Sequence, residues 1–184
     1  MRPAALALLV SAVAAGCAGC GGGLHERTIT VYFEQPGSAA RPLQVVPVLA
    51  PVERRLAPGT PAVPAILGAL ERGPTAAEVS RDGLLPRAPL PGRVLAVRVE
   101  HGTAMVNLAG PPPGDFDAHG ALVYSLTAVP GIERVVLLLR GKPCCVHDMQ
   151  GGIVAPLTRA LYRGWPGEPC AARTYPGAVR CRAS

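Results

Sequence analysis

The 184 residues include 18 Lys and Arg against 12 Asp and Glu, a formal charge of +6, and 49% of them are apolar. That length suits one domain of ordinary size with a tail rather than two well-cored domains, and the apolar content excludes a wholly disordered chain. The arginines are scattered and not interleaved with aromatics, so no nucleic-acid partner is expected; the positive charge favours an anionic leaflet or wall polymer.

Residues 1–16 read as a lipoprotein signal peptide. Arg2 precedes an apolar run from Ala4 to Ala15 that is too short to span a bilayer. Ala14-Ala15-Gly16-Cys17 resembles the lipobox of bacterial lipoproteins, in which the cysteine receives the lipid and becomes the new N-terminus. An ordinary signal peptide with an AxA-like site near a cysteine is the alternative, and Cys20 is a second, less suited acceptor. Residues 17–27, with Gly21-Gly22-Gly23, then form a flexible tether.

Thr28 to Phe33, rich in β-branched and aromatic residues and closed by Gln35-Pro36-Gly37, reads as a first strand. Between Leu43 and Leu56, Pro47 and Pro51 remove amide donors, so a second strand must lie at an edge or be interrupted; Pro51 to Leu56 is its best piece. Val63, Ile66, Leu67 and Leu70 share one face of a helix over about Pro61 to Arg72, ended by Gly73-Pro74. Thr75 and Glu78 have capping-box spacing, which predicts a short helical turn through Val79.

Arg93 to Leu108 reads as the central hairpin. Leu95, Val97 and Val99 alternate before the turn His101-Gly102, and Ala104, Val106 and Leu108 alternate after it, so each strand is expected to bury one apolar face. Asp115 or Asp117 can cap the next helix, whose Leu122, Val123, Leu126 and Val129 form a stripe before Pro130-Gly131. Val135 to Leu139 is a continuous apolar run, expected of a central strand. The order β-β-α-β-β-α-β predicts an α+β fold: a single sheet of about five strands with two helices packed on it.

Several of these segments together resemble the GerMN domain, the sporulation and spore-germination domain. They are Val31-Tyr32-Phe33, Pro51-Val52-Glu53-Arg54, Ala69-Leu70-Glu71-Arg72-Gly73-Pro74-Thr75, the stretch His101 to Leu108, and Pro130-Gly131-Ile132-Glu133-Arg134-Val135. Pro156-Leu157-Thr158-Arg159 with Tyr162 looks like the segment that often follows this domain in actinobacterial lipoproteins. The resemblance covers about residues 28–142, with 143–184 as a cysteine-containing extension. It implies a ring-building-motif-like module of envelope lipoproteins that mediates protein contacts and carries no catalytic residue set and no cofactor.

The thiols left after lipidation of Cys17 are Cys20, Cys144, Cys145, Cys170 and Cys181. In an oxidising compartment Cys170 and Cys181 are expected to bond to the vicinal pair, in either connectivity, and a bridge from that pair to Cys170 would be worth roughly 3 kcal/mol. A metal site of Cys144, Cys145, His147, Asp148 and Cys170 is the rival, disfavoured because adjacent cysteines diverge.

His25, His101, His119 and His147 share no spacing. His101 reads as a turn residue and His119 as a polar position in the first helical turn. Ser125 lacks the context of a nucleophile elbow, and Asp115 with Asp117 reads as capping rather than as paired catalytic carboxylates. Trp165 could stack on a sugar or pack over the cysteine loop. The reading is therefore a non-enzymatic lipoprotein on the extracytoplasmic face of the cell membrane. It would associate with itself or another envelope protein; a glycan- or small-ligand-binding module and an envelope hydrolase are the alternatives.

Overall fold

The computed structural model describes residues 27–36, 47–90, 94–110, 116–147 and 151–162. The elements are β1 (Arg27–Pro36), β2 (Pro47–Leu56), α1 (Ala62–Arg72), α2 (Ala76–Asp82), β3 (Val94–Glu100), β4 (Thr103–Leu108), α3 (Phe116–Leu126), β5 (Arg134–Leu139), β6 (Lys142–Pro143) and a 3₁₀ turn, Arg159–Tyr162. The expected α+β order holds. The strands, however, divide between two sheets: an antiparallel ribbon β1-β2, and a four-stranded sheet β3-β4-β5-β6 in which β4 and β5 are parallel.

The division follows from α3. Its described side chains, Ala118 to Leu126, are buried on every face, where the sequence pattern showed a single stripe. A helix apolar all round must be covered on more than one side. The ribbon supplies one cover through β1 and β2, and β5 and the 3₁₀ turn supply others. Gly120 marks the closeness of that packing: a Cβ there would lie 3.3 Å from both Leu49 Cδ1 and Tyr162 Cδ1. Ile29, Val31, Phe33, Leu49, Ile66, Leu70, Val106, Leu122, Leu126, Leu137, Leu157 and Tyr162 belong to one continuous core. Each such side chain contributes roughly 1.5 to 3 kcal/mol of burial.

The prolines of β2 are accommodated as a two-stranded ribbon allows. Pro51 lies opposite Tyr32, whose N–H points away from β2 and donates to Ser125 Oγ at 2.8 Å. Backbone groups of that pair face outward, so the missing proline amide removes no ladder bond. α1 ends at Gly73, with φ 77° and ψ −171°, where a Cβ would meet the Ala88 backbone at 3.2 Å. α2 begins in the predicted capping box: Thr75 Oγ1 accepts from Glu78 N, and Glu78 Oε2 accepts from Thr75 N.

One expectation for the hairpin is corrected. The turn forms as expected, with His101 at φ 46° and Gly102 at φ 74°, and Ala104, Val106 and Leu108 of β4 are fully buried. The first strand does not bury its face. Leu95 is 52% exposed and Val99 44%, and Val97 is half-buried. Two features account for this: β3 is the outer strand of its sheet, and the register shifts between Val94 and Ala96 as at a β-bulge. α1 reaches only the start of β3, where Glu71 Oε1 accepts from Val94 N at 2.7 Å.

The extension beyond Pro143 begins as part of the same body. Leu157 exchanges backbone hydrogen bonds with Val135 at 2.8 and 2.7 Å, and both Leu157 and Tyr162 are 1% exposed. Arg159 locks the segment to α3: its Nε donates to Thr127 Oγ1 and its terminal nitrogen to the Tyr124 carbonyl, with the guanidinium 4.9 Å above the Tyr124 ring.

Candidate functional site

Several described groups on which chemistry could rest are engaged in holding backbone or charge. Ser125 is fully buried; its hydroxyl donates to the Ala121 carbonyl at 2.7 Å and accepts from Tyr32 N. With its proton committed to a carbonyl and its oxygen to an amide, it joins α3 to β1 and is not poised as a nucleophile. His101 is an exposed turn residue. His119 lies in the first turn of α3 and is buried, 3% exposed. Burial alone pushes the Tyr162 phenol up from its ordinary range.

Two ion pairs that the sequence does not announce fasten the ribbon to the helices. Arg54 Nε and its terminal nitrogen donate to the two oxygens of Glu78 at 2.9 and 2.6 Å, and the same guanidinium lies 4.9 Å over the Phe33 ring. Burial pushes the Glu78 carboxyl up, but hydrogen bonds from Arg54 and Thr75 outweigh it and hold the group below the ordinary carboxylate range. Glu34, 2% exposed at the end of β1, pairs with Arg87, whose Nε donates to Oε2 at 2.8 Å. The same strand end accepts Leu85 N at the Glu34 carbonyl and donates from Gln35 Nε2 to the Asp82 carbonyl.

Two surface features of the described residues stand out. The first is the free edge of β3, with Leu95 and Val99 exposed and Arg98 paired to Glu100 on the strand itself. The second is a groove of about 370 Å³ between the end of α1, α2 and the following loop; Arg72, Val79, Ser80, Pro86 and Arg87 are among its lining residues. It combines apolar walls with cationic groups, as a small anionic ligand would need.

Cys144 pairs with its neighbour Cys145, which has φ 94°; the expected links to Cys170 and Cys181 end on residues outside the described ones. Adjacency brings the two sulfurs together when one residue takes that unusual φ. Cys170 and Cys181 lie outside the described residues, as do Cys17, Cys20, His25, Asp115, Asp148 and Trp165. Among the described residues no three His, Cys, Asp or Glu side chains come together as metal ligands, and His147 is exposed with Nδ1 3.2 Å from the Gly151 carbonyl. Among the same residues no helix is long and apolar enough to cross a membrane.

Comparison with known proteins accords with this geometry. The tandem GerMN domains of the sporulation protein GerM from Bacillus subtilis superpose with a TM-score of 0.55 at 17% identity, covering 79% of this chain and 49% of that one. The chain thus spans about half the length of that structure. The first GerMN domain of the same protein matches at 20% identity and a TM-score of 0.44, over 71% of this chain and 99% of that one. No curated relative matches the sequence. The family described as sporulation and spore germination matches residues 30–145, and on that match the chain belongs to the GerMN-related family.

Proposed function

We propose that the protein is a membrane-anchored envelope lipoprotein, lipidated at Cys17, whose GerMN domain works without catalysis as a docking module. The observation that carries this reading is the contrast between interior and surface. Ser125, Glu34 and Glu78 are each tied to a structural partner, while β3, the outer strand of its sheet among the described residues, exposes two large apolar side chains. An apolar, hydrogen-bonding edge is a means of recruiting another strand. Family membership supports an envelope role, and the N-terminal lipobox supports the anchor.

The test has two parts. Cells fed an alkyne fatty acid should label the wild-type protein, and Cys17→Ala should abolish labelling and release the protein from membranes. Chemical crosslinking in intact cells should then capture the wild-type protein in a discrete adduct. Labelling that survives Cys17→Ala would sink Cys17 as the acceptor, labelling absent from the wild type would sink the anchor, and a wholly uncrosslinked chain would sink the docking role. The groove beside Arg72 favours one second reading, a module for a small anionic ligand. Saturable binding of phosphate-bearing wall polymer, lost in Arg72→Ala, would favour it.

A further inference from the structure

We infer that the groove between the end of α1, α2 and the loop at 83–90 takes a small monoanion on an apolar body, an arylalkyl carboxylate or phosphodiester. The anion sits on Arg72 and the body against Val79 and the flanking prolines. This rests on the small-anion reading of the groove above and narrows the ligand.

Both walls are fixed without a ligand. α2 is held by Arg54, whose guanidinium donates to both Glu78 oxygens, and at its start by the Thr75–Glu78 capping box. The opposite wall runs through Pro86 and is pinned at each end by a buried leucine, Leu84 and Leu90. Leu85 N donates to the Glu34 carbonyl, Leu90 N to the Leu70 carbonyl, and Arg87 between them to the Glu34 carboxylate. A groove whose walls are already ordered loses little binding energy to reorganisation. Its volume of about 370 Å³ falls within the range of small-molecule sites.

The lining sets the sign and the size of the ligand's charge. Among the described residues that line it are two arginines and no carboxylate, so a cation finds no partner there. Arg87 is already paired with the buried carboxylate of Glu34. Arg72 makes no ion pair or hydrogen bond with the described residues; its guanidinium lies back along α1 over Gly68, where a Cβ would stand 3.2 Å from Nη1. Two arginines against the one carboxylate of Glu34 leave a single positive charge, the complement of a monoanion. A phosphomonoester dianion would leave its second charge uncompensated. The nearby acids are engaged elsewhere, Glu78 with Arg54 and Asp82 with Arg81. The Ala69 and Leu70 carbonyls at the end of α1 already accept from Gly73 N and Leu90 N.

The rest of the lining calls for an apolar body. Apart from Ser80 it consists of Pro74, Ala76, Val79, Pro86 and Ala88. Proline and alanine offer apolar area with no side-chain entropy to lose. Inorganic phosphate would leave that surface wet. A carboxylate or phosphodiester on an aromatic or aliphatic carrier removes it from water and gives the Arg72 fork two oxygens to hold.

Titration of the full mature chain, expressed without its lipid and followed by amide NMR, tests this. The probes are 3-phenylpropionate, its neutral amide, methyl phenyl phosphate, acetate and inorganic phosphate. Saturable shifts of the Val79, Ser80 and Ala88 amides are expected from 3-phenylpropionate or methyl phenyl phosphate, and the tighter of the two identifies the head group. The neutral amide and acetate should each bind about tenfold more weakly, and Arg72→Met should weaken the preferred probe by a similar factor. Ser80→Trp, at an exposed position of α2, should block the groove while thermal unfolding stays unchanged. Acetate or inorganic phosphate binding as tightly as the aryl probes would overturn the apolar-body requirement and leave the small-anion reading intact. Binding undiminished in both Arg72→Met and Ser80→Trp would overturn the assignment to this groove. No saturable shift from any of the anions up to about 10 mM would overturn the inference together with the small-anion reading.

Discussion

Replacing Ser125 by alanine isolates the structural use of the buried polar group most easily mistaken for a catalytic one. The hydroxyl is the acceptor for Tyr32 N at 2.8 Å, and Tyr32 faces Pro51 across a pair whose backbone groups point apart. Removing the hydroxyl strands an amide inside the ribbon-helix interface. An unsatisfied buried donor of this kind costs about 1 to 3 kcal/mol. Alanine returns about 0.5 kcal/mol through its higher helix propensity. The net loss should be about 1 to 2 kcal/mol, or about 2–4 °C in Tm for each kcal/mol in a domain of this size. Urea unfolding of the unlipidated mature chain, with the slope unchanged, is the assay. Unchanged or raised stability in Ser125→Ala would refute the reasoning, and loss of a hydrolytic activity at undiminished stability would return Ser125 to the list of nucleophiles.

Three further outcomes follow from the same geometry. Glu78→Gln should lower stability by about 1–2 kcal/mol at neutral pH by weakening the Arg54 pair and the capping box. The folded-state carboxyl titrates below its unfolded value of about 4.3, so this contribution is complete above that pH and is lost as pH falls through the folded value; the wild-type advantage should shrink between about pH 5 and 3 in urea titrations. Arg87→Met should destabilise by about 3 kcal/mol by leaving the Glu34 carboxylate buried, and Glu34→Leu combined with Arg87→Met should recover much of the loss, measured as a double-mutant cycle. Gly73→Ala should cost about 1–3 kcal/mol in thermal unfolding, because its φ and ψ belong to a region nearly reserved for glycine and the Ala88 backbone, 3.2 Å from the new methyl, crowds it.

What the sequence showed was set by local chemistry. α1 stands within one residue of the span its apolar spacing predicts, and the Thr75–Glu78 spacing forms its capping box because both partners lie within one helical turn. The His101-Gly102 turn is equally local. The exposure of Leu95 and Val99 was not legible, since the same alternation suits a central or an outer strand, and only the placement of β5 on the far side of β4 makes β3 the edge. Nor was the role of Ser125, which depends on an amide 93 residues away, or that of Glu34, whose partner is 53 residues distant. The vicinal Cys144–Cys145 pairing was not legible either, because a backbone φ of 94° at Cys145 is not written in residue spacing.

The claim that the protein acts through the β3 edge is tested most directly in living cells, by placing a photo-crosslinking amino acid at Leu95 in one strain and at Ser80, in the groove beside Arg72, in another. The account predicts a discrete protein adduct from Leu95 and none from Ser80. Adducts from Ser80 with none from Leu95 would contradict it.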